Sequence, residues 1–532
     1  MCGIAGFLGD FGETSYDTLS QINRIQQHRG PDYQGKWIDR SKNIGLCHQR
    51  LSIIDLSETG RQPMVSDDGK YVIVYNGEIY NFNQLRSDLM KSGISFRGQS
   101  DTEVLLKLYI VKGTSMLKQL NGIFAFAVWN SEKQELFLAG DAFGVKPLYY
   151  SDIKSGLAFA SEIKALLKLV PKETTLDYQS IHRYLSFLWC PGEGTPLKSV
   201  RKLLPGEAMI VRSGRLLKKW IWYELPVFRK IPEVWDRSQS INGTVTHLRQ
   251  AVHRQMVSDV PLGAFLSGGL DSSAVVAFAR EENPNIRCFT IQTSGRHEAG
   301  FDDDLPYARR VAKHLDVPLE VVKIDSSRMA CDLERMVEQL DEPLSDPAPL
   351  NVLYISQLAR EQGIKVLLSG AGGDDLFTGY RRHRAVQLER LWNWLPYGIR
   401  AGLERVTKGL DVRKPFLRRL AKLFNGAKLE GDARLVNYFR WIDDCSLRNI
   451  YSENFQAELG GADAAEPLLK FLQPLSSDVS HLNRMLALDQ RYFLSDHNLI
   501  YTDKMSMAAG VEVRVPFLDL DLMNFAAGIP VK

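Results

Sequence analysis

The sequence predicts an α/β protein whose two halves are built differently, and three observations carry that reading. From about residue 239 onward, strand and helix signals alternate, which implies a doubly wound parallel sheet with helices on both faces. The first 215 residues instead carry short apolar or alternating runs separated by turn residues, the signature of successive strands. Between strand and helix signals in the second half lies the loop Ser267–Ser273, reading SGGLDSS.

Bulk properties set the frame. The chain has 532 residues, 44% hydrophobic and 24% charged, with a formal net charge of +3. Length alone allows three or four domains, or two large α/β domains. Nothing in the charge balance demands nucleic acid. The six cysteines (Cys2, Cys47, Cys190, Cys288, Cys331, Cys445) form no C-x-x-C and no metal-ligand spacing, which argues against a zinc site or a secreted disulfide scaffold. All but Cys2 read as core or inert thiols. No charged segment followed by an apolar stretch opens the chain, and no run reaches membrane-span length, so a soluble cytoplasmic protein is expected.

The chain opens MCGIAGFLG. Loss of Met1 would leave Cys2 with a free α-amine, placing nucleophile and base on one residue. An α-amine titrates near ~7.7–8.0, suited to take the thiol proton at neutral pH. There follow HRGPD (His28 to Asp32), RLSIID (Arg50 to Asp55), YNGEIYN (Tyr75 to Asn81) and SDTEVLL (Ser100 to Leu106). Strand signals lie at Tyr71 to Tyr75, Ile123 to Val128 and Glu135 to Ala139, and Leu203 to Val211 reads as a late strand of this half. Met116, Leu117 and Leu120 read as core, and His28 and His48 as structural residues.

A helix over roughly Gln239 to Ser258 leads to a strand at Val260–Leu266 and then to SGGLDSS. Gly268 and Gly269 let the backbone approach a phosphate, and the helix that follows points free N–H groups at an anion. Ser267, Ser272 and Ser273 add donors, and Asp271 sits where Mg²⁺ on a polyphosphate would bind. The loop lacks the lysine and the spacing of a P-loop. Strands at Arg287–Gln292, Leu319–Ile324 and Lys365–Leu368 alternate with helices at Leu305–Leu315 and Leu350–Glu361. A second glycine loop, SGAGGDD (Ser369 to Asp375), ends the last of these strands, so both loops can face one nucleotide.

These motifs, in this order over nearly the whole chain, resemble glutamine-hydrolysing asparagine synthetases. The resemblance implies an N-terminal-nucleophile αββα glutaminase sandwich over residues 1–215, a linker over 216–238, and a doubly wound ATP-pyrophosphatase domain over 239–532. It implies Cys2 as the nucleophile, with Asn76 and the Gly77 N–H as the oxyanion hole. Glutamine would be held by Arg50 at its α-carboxylate, by Glu78 and Asp101 at its α-ammonium, and by the backbone of Leu51, Ser52, Ile53 and Ile54. ATP would be held by Leu266, Ser267, Gly268, Gly269, Asp271, Ser272, Ile291, Ser369 and Gly370, with Asp271 and Asp374 carrying Mg²⁺. DEPLSDP (Asp341 to Pro347) matches a family stretch near the acceptor.

Two features depart from that family. Ala371 stands where its members usually have a glutamate beside the acceptor, and the tail that normally follows a late motif (Asp503 to Asp519) is expected to be missing after Lys532. The leading expectation is conversion of aspartate to asparagine through an acyl-adenylate attacked by ammonia released at Cys2. The alternatives are amidation of another carboxylate such as a sugar uronate, a glutaminase with an inactive synthetase domain, or an enzyme fed by free ammonia alone. Glutamine, ATP and aspartate or another carboxylate are the expected small-molecule partners, with no nucleic acid and a homodimer as the candidate assembly. From Arg381 to Lys428 there are 13 Lys/Arg against 3 Asp/Glu, interleaved with Trp392, Trp394 and Leu395. That region reads either as solvated helices or as a face for an anionic membrane surface.

Overall fold

Three sheets order the chain. The computed structural model describes residues 2–12, 14–170, 175–229, 235–294, 304–411 and 413–531. Strand Cys2–Gly9 is flanked by Ile44–Arg50 and Gly156–Ala160 in a six-stranded antiparallel sheet that also holds Tyr33–Asp39, Tyr149–Ile153 and Arg201–Lys202. A second six-stranded antiparallel sheet is built on Tyr71–Ile79, Gly122–Asn130 and Glu135–Gly140. Seven of the eight residues of Cys2–Gly9 and all six of Glu135–Gly140 are buried, as strands covered on both faces must be.

The layers follow from which apolar residues meet. Ile4, Leu8, Ile44 and Leu46 of the first sheet pack against Val72, Val74, Ala127 and Leu138 of the second. Helix Thr14–Ile25 covers the outer face of the first sheet through Leu19 and Ile22. Helices Phe82–Lys91 and Asp101–Lys112 cover the outer face of the second. This is the helix–sheet–sheet–helix sandwich the resemblance implied. Ser100 caps Asp101–Lys112 by accepting from the Glu103 N–H, which fixes Asp101 in the first helical turn.

The second half holds a five-stranded parallel sheet in the order Leu319–Asp325, Arg287–Ser294, Leu262–Phe265, Val366–Leu368, Glu512–Arg514. Helices Arg237–Gln255 and Leu270–Glu282 cover one face; Ala348–Glu361 and Ile500–Ala508 cover the other. A helical lobe from Arg381 to Leu488 packs beside this sheet domain. Among the described residues no helix is long and apolar enough to cross a membrane.

Three expectations need correction. The linker expected at 216–238 begins inside a strand, Arg215–Ile221, paired with Glu207–Arg212. Lys218 and Lys219 mask its alternation, while Trp220 stacks on Phe137 of the same sheet; residues 230–234 of that linker lie outside the described residues. The strand expected at Leu203–Val211 starts only at Glu207 and runs to Arg212; residues 203–206, with the Pro205–Gly206 turn, connect it to Arg201–Lys202 of the other sheet. Cys47, Cys190 and Cys288 are buried, but Cys331 and Cys445 are exposed rather than core.

Candidate active sites

Cys2 begins its strand at the edge of a buried pocket lined by Arg50, Leu51, Ile53, Ile54, Gly77, Glu78 and Asp101, and also by Gly60, Gln62, Tyr75, Ser100 and Thr102. The Cys2 main-chain nitrogen donates to Asn76 Oδ1 at 2.8 Å. That bond fixes the amide group so that Asn76 Nδ2, fully buried, has no hydrogen-bond partner among the described residues. A buried donor left open in this way is a ready oxyanion ligand. Gly77 adds its N–H from a backbone that only glycine can take: φ is 154°, and a Cβ would sit 2.1 Å from Ile123 O on the neighbouring strand. Burial pushes the Cys2 thiol up, opposed by a Leu51 main-chain hydrogen bond and the Arg50 charge.

Charge in the pocket is arranged for a zwitterion. Arg50 is 6% exposed and spends its guanidinium on the carbonyls of Ser57 (3.1 Å), Ile54 (3.4 Å) and Asp55, with no ion pair to an acid among the described residues. Gly60 makes the room, since a Cβ there would lie 2.1 Å from Arg50 Nη2. Asp101 accepts from Tyr75 Oη at 2.7 Å and from Ile79 N at 3.1 Å. Glu78 is pushed well above the usual carboxylate range by burial and by the neighbouring Asp101 and Glu512 charges, against the pull of Arg514. A cation held between Glu78 and Asp101 would relieve that repulsion.

The two glycine loops of the second half interlock. A Cβ on Gly370 would meet Ser272 N at 2.7 Å, and one on Gly373 would meet the Asp271 carboxylate at 2.3 Å. Gly268 (φ 81°) lies against the backbone of Tyr307 and Ala308. Ser267 Oγ and Ser272 Oγ are 3.0 Å apart, and Ser273 Oγ donates to Gly269 O at 2.6 Å, so the hydroxyls are ordered by the loop itself. Burial and the nearby Asp374 charge raise Asp271 to about 6. Two carboxylates brought together at a glycine loop fit a hard divalent cation whose other ligands are phosphate oxygens and water. Leu266 is buried, its N–H held by Phe289 O, and Ile291 is packed beneath the sheet's far face.

The glutamine-type pocket abuts the second half. Leu51 and Ile53 of the glutamine-type pocket pack with Val366 and Met507 of the second half. Val366 opens the strand that ends at Leu368, and the next residue, Ser369, donates its N–H to Arg514 O. Buried ion pairs pin the join: Arg29 to Asp503 at 2.7 Å, Lys146 to Asp503 at 3.4 Å and Arg514 to Glu78 at 3.5 Å. Lys504, paired with Asp341 of its own half at 2.8 Å, donates across the join to Ser161 O at 3.2 Å.

Most of the residues singled out from sequence converge as two groups, Cys2 with Asn76, Gly77, Arg50, Glu78 and Asp101, and Asp271 with Gly370 and Asp374. Ser52 does not line the pocket; its N–H donates to Asp32, which pairs with Lys365 across the join. Asp341 and Glu342 of DEPLSDP brace the interface, Asp341 by accepting from the Ile163 N–H and Glu342 on Tyr149 and Lys202. His28 and His48 are structural as expected, His28 on Glu162 and His48 on the Tyr75 carbonyl. Sequence reasoning missed Arg29, fully buried, whose Nε donates to Cys2 O at 3.1 Å. Its signal was present in HRGPD, a charged residue inside a turn motif.

This pairing of sites defines the class: a glutamine-dependent amidotransferase half joined to a nucleotide-type synthetase half. Family models agree with it, one for the glutamine amidotransferase domain matching residues 1–222 and one for asparagine synthase matching 245–532. The chain belongs to the glutamine-hydrolysing asparagine synthetase family and is a glutamine-hydrolysing ligase. It is 32% identical to asparagine synthetase [glutamine-hydrolyzing] 1 of Bacillus subtilis, over all of this chain and 81% of that protein. A putative asparagine synthetase of Methanocaldococcus jannaschii is 34% identical over 97% of this chain and its own full length. An amidase of Penicillium rubens, chyE, is 34% identical over 72% of this chain and 60% of its own.

Proposed function

We infer that the chain hydrolyses glutamine at Cys2 and uses the ammonia to convert aspartate to asparagine, with ATP cleaved to AMP and pyrophosphate. The observation that carries the first half is the open Asn76 Nδ2 donor beside Cys2, with Arg50 unpaired by any acid among the described residues. Once Met1 is removed, the Cys2 α-amine takes the thiol proton and Sγ attacks the glutamine amide carbon. Asn76 Nδ2 and Gly77 N–H receive the oxyanion, the α-amine returns the proton to the departing ammonia, and water then cleaves the glutamyl thioester. Arg50 holds the α-carboxylate, and Glu78 with Asp101 holds the α-ammonium.

In the second half, Ser267–Ser273 and Ser369–Asp375 hold the nucleotide, and Asp271 and Asp374 would hold Mg²⁺. Bound there, the ion neutralises charge on the departing pyrophosphate. The apolar wall of Leu51, Ile53, Val366 and Met507 supports passage of uncharged ammonia rather than ammonium between the halves.

Ala371 favours a second reading, amidation of another carboxylate such as a sugar uronate. Its methyl packs into the core and its N–H bonds Ser369 Oγ, so this position offers no acid to an acceptor. Relatives that bear the name amidase are in keeping with acceptors other than aspartate. The test is AMP and pyrophosphate formation with glutamine, ATP and Mg²⁺, with aspartate or with uronic acids. Aspartate-dependent AMP with matching asparagine supports the leading reading; AMP only with a uronate supports the second. Glutamate release without AMP under any acceptor overturns both.

A further inference from the structure

The helical lobe of the second half contains a helix built inside out. Tyr397–Lys408 buries Arg400, Glu404 and Thr407, while Ile399 and Val406 are 52% and 70% exposed. Most of its buried polar groups find partners within the lobe: Arg400 donates to the carbonyls of Leu395 and Ala427 and pairs with Glu430, Thr407 donates to Leu403 O, and Glu404 Oε1 pairs with Lys408 and Lys428, leaving Oε2 without a hydrogen bond among the described residues. Ile399 and Val406 lie two turns apart on one stripe, and Gly402 between them has open space where a Cβ would stand. An apolar stripe turned outward on a helix whose inward face is ionic needs a reason outside the lobe.

The same lobe exposes more large apolar side chains. Leu391, Trp394 and Phe416 are 64%, 73% and 72% exposed, and Trp441 is 64% exposed. They belong to one packed unit. Helix Pro415–Phe424 packs on Tyr397–Lys408, the Trp392 and Phe424 rings are 5.2 Å apart, and Lys422 Nζ lies 4.5 Å from the Trp441 ring centroid.

Charge identifies the occupant. Of the 13 lysines and arginines between residues 381 and 428, only Arg382, Arg400, Lys408 and Lys428 pair with an acid among the described residues. The other nine (Arg381, Arg384, Arg390, Arg405, Arg413, Lys414, Arg418, Arg419 and Lys422) do not. All but Arg418 are exposed. Burial first, and then the neighbouring Arg418 and Arg381 charges, disfavour the charge on Lys422, so these three cations stand close together. Cations ringing exposed Trp, Tyr, Phe and aliphatic side chains match an anionic bilayer surface, with headgroups for the charges and the acyl boundary for the apolar tips.

We propose that the lobe from Arg381 to Trp441 docks the enzyme on an anionic lipid bilayer, with Trp394, Ile399, Val406 and Phe416 entering the interface. Flotation of the full chain with vesicles of phosphatidylglycerol and phosphatidylcholine tests it against vesicles of phosphatidylcholine alone. Binding is expected only to the anionic vesicles and is expected to fall as NaCl rises to 0.5 M. R418E/R419E should lower the partition coefficient about 100-fold. W394A/F416A, which keeps every charge, should lower it at least tenfold. An unchanged glutaminase rate in both variants shows that they are folded. The proposal is overturned by no binding to anionic vesicles at low salt, or by W394A/F416A binding as the wild type does. It is also overturned if the wild type is a dimer in solution that W394A/F416A dissociates, because a second copy would then be what covers the stripe.

Discussion

Asn76→Ala removes two interactions at once, and their sizes can be worked separately. Nδ2 is the side-chain donor of the proposed oxyanion hole, and loss of one such donor typically costs about 10²–10³ in kcat, ~2.7–4 kcal/mol. Oδ1 holds the Cys2 nitrogen at 2.8 Å. A hydrogen bond of this kind is worth about 1 kcal/mol net, or roughly a further fivefold. Asn76→Asp keeps the acceptor but replaces the donor with a carboxylate that repels the developing oxyanion, so its loss should be at least the oxyanion part. The assay is glutamate release from glutamine under saturation, alongside the ammonium-driven synthetase reaction. Asn76→Ala should lose roughly 500- to 5,000-fold in glutaminase kcat, with KM little changed because Arg50, Glu78 and Asp101 are untouched, and the ammonium-driven rate should be kept. A kcat loss below tenfold, or an equal loss with ammonium, would refute the reasoning.

Further outcomes follow from other contacts. Burial pushes His48 down to about 3, so it is neutral in the fold and takes a proton on unfolding below its ordinary ~6.5. Its contribution is therefore complete above pH 6.5 and is lost as pH falls toward 3. By pH 5 this amounts to about 2 kcal/mol, and urea unfolding of His48→Gln should show a shallower decline than wild type between pH 7 and 5. In Gly373→Ala the new Cβ would stand 2.3 Å from the Asp271 carboxylate, so AMP formation should drop at least 100-fold while glutamate release persists. Asp503→Asn weakens the partnership of both Arg29 and Lys146 at 0–1% side-chain exposure, and should lower the stability read from denaturant midpoints by about 3 kcal/mol.

Legibility from sequence tracked locality. Helix Leu305–Leu315 and the strands around both glycine loops were readable because period, turn residues and apolar runs agree within a few residues. Strand Arg215–Ile221 was not readable, since its lysines sit on a half-exposed edge and its register is set by a partner strand. Arg29 could be quoted within a motif but not interpreted, because its partner Asp503 lies 474 positions away. Ser52 shows the opposite error: adjacency to Leu51 and Ile53 suggested a shared pocket, yet its N–H faces Asp32. The inverted helix was invisible for a different reason. Arg400, Glu404 and Thr407 would ordinarily be assigned to the wet side.

Asp503 and Lys504 are neighbours on one helix with opposite charges, each tied to the other half: Asp503 accepts from Arg29 and Lys146, while Lys504 donates to the Ser161 carbonyl and to Asp341 of its own half, which in turn receives the Ile163 N–H across the seam. Such a junction tolerates little recombination. A glutaminase half transplanted from a relative would have to bring matching residues at 29, 146 and 161–163, or strand ions in a dry seam. Separately expressed halves would each expose a surface too ionic to resemble a core and too apolar to stay apart. The seam therefore acts as a lineage lock, tying the inheritance of one half to the other and leaving the outward-facing helical lobe as the part most open to variation.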